Sequence, residues 1–324
     1  MTGSARRRTG DSRYGERVPL VAAAVCPHPP LLVPEVAGSA APELDDLRAA
    51  CDTAVRRLLA VGPDTVVLLG TGPVTGPIRT PATGSLQPWG VDLDVPLGPG
   101  QPDRGAVLPL SLTIGAWLLA RHYEAPPPSE AAPSDAAPSD AAAPSDAAPS
   151  DAAAPSDAAP SDAAPSEAAP SDAAPSDAAA PSDAAPSEAA PPSALTITAV
   201  QVAADAGPAE LAALADEIAA AGDRVALLAL GDGSACRGEK SPGYYDPRAL
   251  AYDQRVAAAL ADADLGVLLD LDPVVSAELK AAGRAPWQVL AGAARAAGGG
   301  WRGELLHHAA PYGVAYFVAS WERL

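Results

Sequence analysis

Cysteine, lysine and large aromatic side chains are scarce in this chain of 324 residues, and each scarcity closes off a class of function. The three cysteines, Cys26, Cys51 and Cys236, are odd in number and far apart. That spacing argues against a disulfide framework and against a structural zinc site, and it fits a reducing cytoplasm. Lysine occurs only at Lys240 and Lys280, and the one basic run lies between Arg6 and Arg17. Phosphate recognition needs a clustered excess of positive charge, so nucleic acid is not an expected partner. No apolar run approaches the ~18 residues needed to cross a bilayer, so a membrane is not expected either. Val18 to Val25 is apolar and follows the arginines, but Asp11 and Glu16 break the basic region and Val25 is too large to precede a cleavage site. The stretch therefore reads as a strand and not as a signal peptide. The partners left open are a small molecule and further copies of the chain.

What the chain has in excess is a repeat. From Ser129 to Ser193 the unit Pro-Ser-Asp/Glu-Ala-Ala recurs, with no aromatic and no branched aliphatic residue. Such a segment has nothing to bury, and ordering each of its residues costs about 1 to 2 kcal/mol of backbone entropy, so it is expected to be disordered. It holds twelve acids and no base, which leaves −7 of the formal −19 for the rest of the chain. The expected organisation is a disordered tail (1–17), the first part of one domain (18–124), the disordered insert (125–193) and the second part of the same domain (194–324).

The remaining ~240 residues alternate strand and helix patterns, the mark of an α/β fold with a mostly parallel central sheet flanked by helices. Strands are expected at Val18 to Val25, Thr65 to Leu69, Leu195 to Val202 and Val225 to Leu230. A C-terminal hairpin is expected from Trp301 to Leu306 and Val314 to Ser320, turning at Pro311, Tyr312 and Gly313. Pro42 opens a helix whose Leu44, Leu47, Cys51, Val55 and Leu58 form one apolar stripe. Further helices are expected over Leu108 to His122, Pro208 to Ala221 and much of Pro247 to Ala297. Gly70 to about Gly90, rich in glycine and proline, reads as a loop.

Ligands in such a sheet bind beyond the carboxyl ends of the strands, and three loops qualify: Cys26 to Pro34, Gly70 to Gly76 and Gly231 to Tyr245. His28 lies between Pro27 and Pro29, whose rings restrict the backbone, so its imidazole is held for metal binding or proton transfer, or else bonds a neighbouring carbonyl. Asp232, in the tight Gly231 to Gly233 turn, either faces a pocket or caps the next segment. Ser234 stands at the same mouth, and Glu239, beside Lys240, completes the pocket candidates. The glycines after Gly70 do not make a phosphate loop, because Pro73, Pro77 and Pro81 oppose the helix that phosphate binding needs. His122 is expected at a helix end, where its charge suits the helix dipole. His307 and His308 are expected to be solvated at the tip of the last hairpin.

Five segments together carry a family resemblance: LVAAAVCPHPPLLVPE (Leu20 to Glu35), ALLALGDGS (Ala226 to Ser234), SPGYYDPR (Ser241 to Arg248), GRAPWQVLAG (Gly283 to Gly292) and ELLHHAAPYGV (Glu304 to Val314). The chain resembles the catalytic-subunit family of class III extradiol ring-cleavage dioxygenases. The resemblance implies Fe(II) held by two histidines and a carboxylate, with a further histidine as acid and base. His28 matches the first metal histidine. The second would follow the next strand, yet no histidine lies between His28 and His122; the catalytic histidine position holds Ala235; and no acid lies between Glu278 and Glu304. The resemblance therefore implies a degenerate member that has lost Fe(II), with His28 as the residual ligand and a cleft retained for a small molecule or partner. The alternative is a working enzyme, either a ring-cleavage dioxygenase with substituted ligands or another activity built on His28 and Asp232.

Overall fold

A computed structural model describes residues 20–98, 105–123 and 195–324. The expected tail and insert lie outside the described residues. Among the described residues ten strands run in chain order: β1 (Leu20–Cys26), β2 (Thr65–Gly72), β3 (Gly76–Ile78), β4 (Ala82–Ser85), β5 (Asp94–Leu97), β6 (Ala106–Val107), β7 (Thr196–Ala203), β8 (Val225–Leu230), β9 (Trp301–Ala309) and β10 (Tyr316–Arg323). Eight α-helices join them: α1 (Pro34–Ala37), α2 (Asp45–Ala60), α3 (Leu110–Ala120), α4 (Pro208–Ala219), α5 (Ala249–Asp262), α6 (Leu265–Leu269), α7 (Pro273–Glu278) and α8 (Arg284–Ala296).

Seven strands form the main sheet in the order β3-β7-β2-β8-β1-β10-β9. Its centre, β7-β2-β8-β1, is parallel, while β3, β10 and β9 are antiparallel to their neighbours. The expected α/β class, the mostly parallel sheet and the C-terminal hairpin are all present. All six residues of β8 are buried, as a central parallel strand covered on both faces requires.

Side-chain alternation divides the core into two layers. Ala22, Ala24 and Cys26 of β1 and Ala226, Leu228 and Leu230 of β8 pack with Leu47, Cys51 and Val55 of α2 and Leu112 and Leu118 of α3. Ala23 and Val25 of β1 and Leu227 and Ala229 of β8 pack on the other side with α4, α5 and α8, around Trp287 and Phe317. Those two rings meet edge to face at 5.7 Å.

Two expectations need correction. Gly70 to Gly90 is not one loop: β2 continues to Gly72, and β3 and β4 follow. Pro77 is tolerated because β3 is an edge strand, where a missing N–H costs no ladder bond. The first long helix starts at Asp45 and not at Pro42, because Gly38–Leu44, with Pro42 inside it, is a tighter 3-10 turn.

Candidate functional site

The register of the central strands places the site. Cys26 of β1 pairs with Leu230 of β8, and the Gly231 amide extends that ladder by donating to the Cys26 carbonyl at 3.0 Å. Two residues further along each strand stand His28 and Asp232. The His28 backbone amide donates to Asp232 Oδ1 at 2.8 Å, and His28 Nδ1 lies 3.5 Å from the same oxygen. Both side chains are largely buried, at 11% and 15% exposure. At 3.5 Å the ring nitrogen is within ion-pairing range but makes no hydrogen bond, and it is left without a partner.

Tyr316, the first residue of β10, is buried on the same side of the sheet as Cys26 and Leu230. Its phenol is pushed well above its ordinary range by burial and then by the nearby charge of Asp232. Burial likewise raises the Asp232 carboxyl, against the opposing pull of the His28 ring and amide. His28 and Asp232, beyond the carboxyl ends of β1 and β8, and Tyr316, at the start of the antiparallel β10, thus lie at the same edge of the sheet.

The structure brings His28 and Asp232 together. Asp232 does not cap the next segment, because its carboxylate reaches across to the β1 loop. Ser234 is corrected: it is fully buried, donating its amide to Asp253 Oδ1 at 2.9 Å and its hydroxyl to Asp253 Oδ2 at 2.6 Å. Arg237 Nη1 adds a third bond to Asp253 at 3.0 Å, so this network fastens the Gly231 to Arg237 loop to α5. Glu239 is corrected as well, since it is exposed in a turn beyond that loop, like Lys240.

The other histidines lie elsewhere. His122 Nε2 bonds Asp52 Oδ1 at 2.8 Å, so it ties α3 to α2 and does not merely answer a helix dipole. His307 and His308 lie in β9, which runs on to Ala309 before the turn; His308 is exposed as expected, His307 is half-buried, and the His308 ring lies 4.8 Å from that of Phe317. Partial burial lowers the pKa of both.

Fe(II) can be tested against these residues. At the end of β2 the chain offers Gly70 and Gly72, packed against Ser111 and Gln201. Ala235 is buried, with its amide on the Leu279 carbonyl. The polar residues of α8 are Arg284 and Gln288, whose bonds run to each other and to carbonyls, and Arg295 in its last turn. Among the described residues no three His, Cys, Asp or Glu side chains converge. His28 and Asp232 alone do not fit a site needing two histidines and a carboxylate.

Sequence reasoning missed Tyr316 and Asp253. Asp253 could have been found, because it occupies the apolar stripe of its helix with Ala249, Val256 and Leu260 and is as buried as they are. Tyr316 has no comparable signal, since an aromatic residue opening a strand is ordinary.

No family model matches the chain, and no curated protein matches it. Among solved structures it is similar to the crystal structure of uncharacterized protein JW3007 from Escherichia coli K12, at 13% identity and a TM-score of 0.42, over 93% of this chain and 99% of that one. A likeness at that level carries neither a fold nor a function across.

Proposed function

We propose that the carboxyl edge of the sheet is a small-molecule binding cleft built on His28, Asp232 and Tyr316. On this reading the domain is an extradiol-dioxygenase-like protein, of the catalytic-subunit type, that does not perform iron-dependent ring cleavage. The observation that carries it is the His28 to Asp232 pair, whose ring nitrogen is buried and unbonded beside a carboxylate. A buried polar atom without a partner is costly, and a carboxyl raised by desolvation next to a specific partner is a common mark of a functional site. A ligand donating to Asp232 and bonding the imidazole would satisfy both groups. A cytoplasmic location accords with three cysteines that are all unpaired.

The test is purification under anaerobic conditions with Fe(II), followed by metal analysis and a catechol-cleavage assay. Iron well below one equivalent and no ring-opened product are expected. Near-equimolar iron together with ring-opened product would overturn the proposal in favour of a working dioxygenase with substituted ligands. In parallel, His28→Gln should abolish the ligand-induced shift of one imidazole resonance when labelled protein is titrated with a set of small phenols and carboxylic acids. No shift at His28 with any of them would remove the reason to place a binding site there.

A further inference from the structure

The two edges of the main sheet are built differently. At one edge β3 has three residues, one of them Pro77, and so offers almost no free ladder. At the other, β9 has nine residues and pairs with β10 on its inner side along its length. Among the described residues no strand pairs with its outer side. Both faces of β9 are occupied. A side chain added at Gly303 would meet the carbonyls of Leu260 and Ala261 at 2.7 Å, and Glu304 bonds Arg57 of α2 at 2.6 Å on the opposite face. Among the described residues, no strand pairs with the row of backbone groups along the outer rim.

A long bare edge invites pairing with any extended chain, and proteins usually blunt it with charges or a bulge. Here the register shifts between Val318 and Ala319, so a bulge at Leu306 leaves Trp301 to Leu305 as the regular part. That part carries one charge of each sign, Arg302 and Glu304, on either side of Gly303.

We propose that β9 is a docking edge for a second copy of this chain, the two strands pairing antiparallel about a two-fold axis at Gly303. In that register Arg302 of each copy lies opposite Glu304 of the other, two complementary pairs on one face. Centring the axis one residue away, on Arg302 or on Glu304, instead sets like charges against each other. The pattern thus disfavours the two adjacent self-registers while accepting its own reverse. No step of this depends on what the His28 site binds.

Arg302 and Glu304 are both well exposed, with Arg302 also paired to Glu322 of β10, so their substitution leaves the core untouched. Sedimentation equilibrium of the full chain reads mass independently of shape. The wild type should rise from 32.2 kDa towards twice that mass as concentration increases over roughly 1 to 300 µM, the range suited to a small interface. Arg302→Glu gives a chain with two acids at these positions, and Glu304→Arg a chain with two arginines. Each alone should remain a monomer over the same range, and an equimolar mixture of the two should form a heterodimer about as tightly as the wild type pairs with itself. A wild type that stays at monomer mass overturns the proposal. So do single variants that dimerise like the wild type, or a mixture of folded variants that stays monomeric.

Discussion

Asp232 sits where burial raises its carboxyl, with only the His28 ring and amide to oppose the effect. Its folded pKa therefore lies above the unfolded value of about 3.9, and the folded state holds the proton more tightly. The sign follows: stability falls as pH rises through the interval between those two values, and above it the charged carboxylate is a net burden. Asp232→Asn keeps an oxygen for the His28 amide and removes the charge. It should be at least as stable as the wild type at pH 7, with the difference shrinking as pH falls and vanishing below about pH 4, as read from urea midpoints. A variant clearly less stable at pH 7 would show that the charge serves the fold and not a ligand. Asp253 differs in its bonding: it is buried and accepts three hydrogen bonds. Asp253→Ala strands the Ser234 amide and hydroxyl and the Arg237 guanidinium, so a loss of about 3 kcal/mol in denaturant unfolding is expected, against about 1 kcal/mol for Ser234→Ala. His28 could be singled out in the sequence because prolines flank it at a strand end. The role of Ser234 could not, because its partner lies 19 residues away on a helix that only the tertiary fold brings near.

At the scale of the element, the segment from Gly231 to Gly233 that follows β8 is fixed by what packs against it. The Gly283 amide, at the start of α8, donates to the Asp232 carbonyl at 2.8 Å. A side chain at Gly233 would meet Ala315 Cβ and Asp253 Oδ1 at 2.9 Å, both in segments that cannot retreat. Gly233→Ala should therefore lose about 1 to 3 kcal/mol of stability in thermal melts, the range for overpacking a tight site, and should disturb the position of Asp232. The two glycines suggested a tight turn, but none forms: neither takes a positive φ, and the segment runs on from β8 with the Gly231 amide on the Cys26 carbonyl and the Gly233 amide on the Ala315 carbonyl. They did not predict β3 and β4, whose short strands are defined by pairing with β7 and β5 and have no periodicity of their own. Helices α2 and α3 are joined through Asp52, whose burial raises its pKa but is outweighed by bonds from Arg121 and His122, so the carboxyl is lowered. A lowered carboxyl contributes in full above the unfolded value of about 3.9, and its contribution is lost as pH falls through the folded one. The stability gap between wild type and Asp52→Asn should consequently be widest near neutrality and close as the acid limb is descended in urea titrations from pH 6 to pH 2.5.

At the scale of the molecule, helix and strand alternation specified the class of fold, because each element must bury an apolar face against the next and a parallel sheet between helix layers does so. The strand order was not specified in that way: β1 lies between β8 and β10, neighbours contributed by the far half of the chain. That half is reached only through the Pro-Ser-Asp-Ala-Ala repeat, which separates Ala120 at the end of α3 from Thr196 at the start of β7. The repeat carries no side chain larger than glutamate and none that is apolar beyond alanine or proline, so it has no means of adding to either core layer. Its thermodynamic effect should be that of loop length alone, and closure entropy changes by only about 0.6 kcal/mol for each doubling. Replacing Ser129 to Ser193 with a Gly/Ser linker of about a dozen residues should thus leave stability unchanged or raise it by about 1 to 2 kcal/mol. Because twelve of the chain's acids leave with the repeat, solubility near neutral pH should decline even as the melting temperature holds. A destabilisation greater than about 2 kcal/mol on this replacement, well outside what loop closure can produce, would mean that the repeat contributes packing to the fold in spite of its composition.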